Sequence, residues 1–104
     1  MSKNSIKAIF QNRDKAINIK HKKLFLSTQV KNQEIKWSYS SGYLKLSKLK
    51  SKVLRIYKDN KNKNLWIVLI KEEYYKKGKF SHQGYLIYKI IRDNNRFLIF
   101  DIRW

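Results

Sequence analysis

The side chains that could move a proton are Glu72, Glu73, His82, Asp101 and the tyrosines Tyr39, Tyr43, Tyr74, Tyr85 and Tyr88. Pocket acid–base chemistry needs one such group in a dry cavity, its pKa moved toward the working pH, with an electrophilic partner in reach. None of these residues stands at the spacing of a recognisable pair. Glu72 and Glu73 are neighbours, so on a strand they point to opposite faces and at most one enters a cavity. His82, in the run SHQG, reads as a surface residue beside a turn, and Asp101 reads as a counter-charge to a nearby Lys or Arg. No catalytic residue is assigned, and the chain reads as a binding protein rather than an enzyme. His21 and His82 are far apart and there is no cysteine, so neither a metal site nor a thiolate is expected. Gly42, Gly78 and Gly84 are isolated and form no phosphate-binding loop, and no cofactor is implied.

The basic residues say more. Twenty-five Lys and Arg stand against seven Asp and Glu, a formal charge of +18. Such a field favours a polyanion: nucleic acid, an anionic lipid surface or an anionic cell-wall polymer. The candidate contacts fall in three groups: Lys20, Lys22 and Lys23; Lys45, Lys48, Lys50, Lys52, Arg55 and Lys58; and Lys76, Lys77 and Lys79. Aromatic residues are interleaved with them, and exposed rings beside cations could stack bases. Part of the lysine excess also fits coding in an AT-rich genome, such as that of a bacterium or phage. The shortage of carboxylates does not follow from that bias, because Glu also has an A-rich codon.

These groups need elements to hold them. Ile6, Ile9, Phe10, Arg13, Ala16 and Ile17 recur at helical spacing, giving an apolar helix face around Arg13, with Asn4 or Ser5 as its cap. A second short helix is predicted over Lys22–Gln29. Val30–Lys52 is mixed: Ile35, Trp37 and Tyr39 alternate, Leu46, Leu49 and Val53 keep helical spacing, and a helical turn is read over Glu34–Tyr43. Four strands follow, Val53–Lys58, Leu65–Tyr75, Gly84–Ile91 and Arg96–Trp104, rich in β-branched and aromatic residues. Short polar turns between them make an antiparallel meander the simplest topology. In the last strand a two-residue period puts Leu98, Phe100, Ile102 and Trp104 on one face and Phe97, Ile99, Asp101 and Arg103 on the other. Trp66, Tyr88, Phe97 and Phe100 are predicted core.

A chain of 104 residues with 42% hydrophobic residues and 15 Phe, Tyr and Trp fits one folded α+β domain spanning 1–104. The start, MSKNSIKAIF, has no long apolar stretch, and the run Leu65–Ile70 is too short to span a bilayer. As written the chain reads as soluble and cytoplasmic, although the extracellular domain of an anchored protein would read the same way.

The closing run GYLIYKIIRDNNRFLIFDIRW resembles the end of nuclear-transport-factor-like (SnoaL-like) domains of the cystatin-like fold. Phe97 takes the aromatic place usually held by Trp, and Ile99, Asp101 and Ile102 complete an I-x-D-I strand. AIFQNRDKAINIKHKKLFLSTQV resembles the opening helices of that superfamily, so the likeness covers most of the chain except Lys31–Lys52. It implies N-terminal helices packed on a curved, cone-shaped antiparallel sheet of four or more strands. It also implies a pocket for a ligand or peptide, with Trp37, Tyr39, Tyr43, Glu72, Tyr74 and Tyr85 as candidate lining, and a homodimer through the sheet. The leading expectation is a non-catalytic binding or accessory domain engaging an anionic partner, a protein being a further candidate partner. The alternative is a nucleic-acid-binding protein of a phage or mobile element. A third reading is a small basic ribonuclease toxin, whose central strands GYLIYKIIRDNN resembles, with Arg92 and Arg96 on the phosphate.

Overall fold

A computed structural model describes residues 2–30, Tyr43 and residues 45–103. Helix α1 (Ser2–Asn18) and the short α2 (Lys22–Leu26) precede strands β1 (Lys48–Lys58), β2 (Leu65–Lys76), β3 (Lys79–Asp93) and β4 (Arg96–Arg103). The strands form one antiparallel meander in the order β1-β2-β3-β4, an α+β arrangement with the helices at the front of the chain. The expected helical turn over Glu34–Tyr43 lies outside the described residues except for Tyr43, which is helical.

Helix α1 begins at Ser2, so Asn4 and Ser5 lie within its first turn instead of capping it. Its face of Ile6, Ile9, Phe10, Ala16 and Ile17 is buried, as the spacing predicts. Helix α2 is capped by His21, whose Nδ1 accepts from the Leu24 N–H at 3.0 Å. It stops before the expected Gln29 because the backbone is drawn to β4. Val30 donates to the Ile99 carbonyl and Ile99 to the Thr28 carbonyl, both at 2.9 Å, making a parallel bridge between Gln29 and Ile99.

Three of the predicted strands are longer than expected. β1 begins at Lys48, ahead of the expected start at Val53, so Leu49 lies in the strand although Leu46, Leu49 and Val53 keep helical spacing. In the strand Leu49 is buried while Lys48, Lys50 and Lys52 face out, the two-residue period of a sheet. β2 and β3 continue to a two-residue turn at Lys77 and Gly78, whose φ values are +53° and +78°. Asn94 and Asn95 turn β3 into β4 at +49° and +68°. Paired positive φ values of this kind match the twist of the strands they join.

The pairing register shifts in three places: between Val53 and Arg55, between Tyr74 and Tyr75, and between Lys89 and Ile90. Bulges of this kind bend and twist a sheet. The third corrects the expected faces of β4. Phe100 is the extra residue, since Ile99 pairs with Ile90 and Asp101 with Lys89. Ile99 and Ile102 are therefore both buried, although strict alternation separates them. Phe97 half-buries its ring edge-on to Trp66 at 5.2 Å. Trp66 and Tyr88 are core as expected, whereas Phe100 is not among the core cluster.

Candidate functional site

The inner face of the sheet is apolar at one end and polar at the other. Along β2 it presents Trp66, Val68, Ile70, Glu72 and Tyr74, opposite Ile90, Tyr88, Leu86, Gly84 and His82 of β3. The alternation that buries Ile70 also buries Glu72 completely, while Glu73 turns outward to Lys71 at 3.6 Å. Gly84, opposite Glu72, has no side chain, and the Tyr74 ring lies across it. A Cβ there would meet Tyr74 Oη at 3.6 Å.

Three phenols converge on Glu72. Tyr43 and Tyr74 donate to Oε1 at 2.7 and 2.6 Å, and Tyr88 donates to Oε2. A carboxylate accepts at several lone-pair positions, so one group satisfies all three hydroxyls. Burial drives the pKa of each tyrosine upward, with the Glu72 charge adding to the effect. The phenols are thereby held as donors.

Arg13 supplies the opposite charge. It occupies an apolar position of α1 and is completely buried. Its guanidinium lies 4.3 Å from the Phe25 ring centre and 5.5 Å from those of Tyr43 and Tyr88. Nη1 donates to Gln29 Oε1 at 3.1 Å and to Thr28 Oγ1 at 3.4 Å. Nε and Nη2 are buried with no hydrogen-bond partner among the described residues. Burial works against the charge, but Tyr88, Tyr43 and Glu72 outweigh it and hold the Arg13 pKa above its ordinary value. The aromatic faces and Glu72 together make a buried cation tolerable.

Asp14, the next residue of α1, reaches β1. Its carboxyl accepts from the Ser51 N–H at 2.8 Å and the Ser51 hydroxyl at 2.7 Å. One helical turn on, Asn18 accepts from the Leu49 N–H at 3.3 Å. Burial raises the Asp14 pKa to about 6, although both Ser51 bonds oppose the rise.

Beside this cluster Tyr43, Tyr74, His82, Gly84 and Tyr85 line a cleft of about 350 Å³. His82 is exposed, as expected of a surface residue, yet its ring lies 4.6 Å from that of Tyr74. Among the described residues no three His, Asp or Glu side chains group as a metal would require.

No family model and no curated protein matches the sequence. Among solved structures, an NTF-2-like protein of unknown function from Shewanella oneidensis MR-1 superposes with a TM-score of 0.77. The match covers 97% of this chain and 100% of that one, at 13% identity. The chain has the NTF2-like fold. At that identity the likeness speaks for the fold alone.

On this NTF2-like frame the expected site residues separate. Tyr43, Tyr74 and Tyr85 line the cleft, and Glu72 lies behind the first two. Trp37 and Tyr39 lie outside the described residues. The expected basic residues are all exposed. Gly78 donates to Ser47 Oγ at 3.0 Å, and Lys20 Nζ donates to the Leu46 carbonyl. Lys20, Lys45, Lys48 and the Lys76–Lys79 turn thus meet at one end of the NTF2-like sheet. Arg55 and Lys58 lie farther along β1, about 20 Å or more from Lys48 at strand rise. Arg92 and Arg96 are tied to separate loops, through Asn64 Oδ1 and the Ser27 carbonyl, each at 3.4 Å. Asp101 pairs with Arg103 at 2.9 Å, the counter-charge role expected of it. Sequence reasoning missed Arg13, Thr28, Gln29 and the Tyr88 hydroxyl as polar partners. The available signal was one arginine on an otherwise apolar helix face.

Proposed function

We propose that this NTF2-like protein is a binding domain that engages an anionic partner through its basic surface, its buried Arg13–Glu72 cluster serving to hold the fold. The observation that carries this reading is how few of the cations are matched. Among the described residues only Lys71 and Arg103 make ion pairs. The other carboxylates with described partners are spent elsewhere: Glu72 on tyrosines, Asp14 on Ser51, and Asp59 on the N–H groups of Lys61 and Asn62. Unmatched surface charge of one sign draws counter-charged polymers and speeds their arrival.

The cleft beside Tyr43 and Tyr74 is the place for a ligand or peptide in the same reading, with rings for walls and Gly84 as its floor. The deciding experiment titrates the protein against heparin, duplex DNA and phosphatidylserine vesicles at rising salt. Binding at low salt that weakens steeply as salt increases supports the reading. Absence of binding to every polyanion at about 20 mM salt, well below the screening of physiological buffer, rejects it.

A further inference from the structure

The outer face of the sheet is as ordered as the inner one. Register places Lys48, Tyr75 and Phe80 in one row across β1, β2 and β3, and Lys52, Lys71 and Tyr85 in another. A third row runs Arg55, Leu69, Ile87 and Arg103, and a fourth runs Tyr57, Ile67, Lys89 and Asp101. A further row, Lys50, Glu73 and Gln83, lies between the first two. Each of these five rows carries a cation, and three of them carry an aromatic ring. Tyr57, Phe80 and Tyr85 are 55%, 54% and 57% exposed. Lys48 Nζ lies 5.5 Å from the Tyr75 ring centre, and Tyr75 meets Phe80 edge-on at 5.8 Å. On this face the carboxylates Glu73 and Asp101 are already matched by Lys71 and Arg103. Lys48, Lys50, Lys52 and Arg55 along β1 have no such partner among the described residues.

We infer that this outer face binds single-stranded nucleic acid, its rings stacking on bases and the β1 cations following the phosphates. The inference rests on the anionic-partner reading and adds the class of polymer and the surface. Rows of a sheet are about 7 Å apart along the strands, and neighbouring strands about 5 Å apart. Tyr85 and Tyr57 are therefore separated by two rows and two strands, room for several unstacked bases between them. Exposed rings interleaved with cations are what a single strand uses; a duplex keeps its base faces covered and offers the rings nothing. The face carries Lys48, Lys50, Lys52, Arg55, Lys71, Lys89 and Arg103 against Glu73 and Asp101, so a polyanion complements it better than a second copy of the same face.

The test is fluorescence anisotropy with labelled 12-nucleotide dT and rU strands, a duplex of the same length, heparin and phosphatidylserine vesicles. It uses the full chain and its Tyr57→Ala, Phe80→Ala, Tyr85→Ala and Tyr85→Phe variants, each checked for an unchanged thermal transition. The expected result is single-strand binding at least about fivefold tighter than duplex binding. At least one Ala variant loses about fivefold or more on the single strand and little on heparin, and Tyr85→Phe keeps its affinity. Equal affinity for strand and duplex, with no loss in any ring variant, overturns the inference and leaves the anionic partner standing. Binding to vesicles but not to either strand does the same. Binding to no polyanion overturns both.

Discussion

The bond network between α1 and β1 predicts an unusual pH dependence, concentrated in one carboxyl. Asp14 is carried into the interface by the helix and held there by Ser51. Burial raises its pKa from an ordinary 3.8 to about 6, so the folded chain binds this proton more tightly than the unfolded chain. The stabilisation is fully present below about 3.8 and is lost as pH rises through about 6, after which the cost is constant. The full difference corresponds to roughly 3 kcal/mol. Solvent screening at a partly exposed carboxyl reduces this to about 1–2 kcal/mol. Asp14→Asn removes the titration and keeps an oxygen for the Ser51 N–H. Urea unfolding of both proteins between pH 3.5 and 8 is the assay, and the quantity to follow is the difference between them. Other carboxylates titrate in both chains and cancel. Relative to wild type, the variant is expected to gain about 1–2 kcal/mol between pH 4 and pH 7, or about 4–16 °C in thermal midpoint for a domain of this size. A difference that stays constant across this range, or that moves the other way, refutes burial as the cause of the raised pKa.

Three further outcomes follow from the core and the turns. Glu72→Leu strands three phenol hydroxyls and the Arg13 charge, so a loss of about 3–5 kcal/mol is expected in urea unfolding; pairing it with Arg13→Met should recover at least about 1 kcal/mol against additivity. Gly84→Ala places its methyl at ordinary contact distance from Tyr74 and should change stability by less than about 1 kcal/mol, while Gly84→Leu should fill the cleft and block any ligand that enters it; a large loss in the Ala variant speaks against the geometry of Tyr74. Lys77→Asn puts an Asn–Gly pair in the turn where both φ values are positive and should raise the thermal midpoint by a few degrees, about 0.5 kcal/mol.

The sequence made some of this architecture readable because some physical signals are local. The turns DNKNKN, KKGK and DNN and the aromatic strands between them announce a meander, and α1 shows its buried face by spacing alone. Other features depend on distant residues. The start of β1 was placed too late, at Val53, because β2 supplies pairing partners from Lys48 onward that outweigh the helical spacing of Leu46, Leu49 and Val53. The faces of β4 were misassigned because one bulge at Phe100 shifts the period, and bulges carry no reliable composition mark. At the candidate site, the opposite facing of Glu72 and Glu73 was legible from strand geometry. The convergence of Tyr43, Tyr74 and Tyr88 on Glu72 was not, since they lie up to 45 positions apart in the chain. Arg13 was visible on its helix face, but its meaning came only with the acid and the rings that surround it.

The side chains of Asp14 and Asn18 and the bridge from Thr28 to Val30 have a consequence for encounters between molecules. Leu49 and Ser51 on β1, and Ile99 on β4, are edge-strand residues whose backbone groups would otherwise be open to another chain. Open edges invite intermolecular strand addition and the growth of aggregates. Here both margins are occupied from within at these positions, one by helix side chains and the other by the segment that leaves α2. A protein with exposed rings such as Tyr57, Phe80 and Tyr85 is thereby steered away from self-templating at those places.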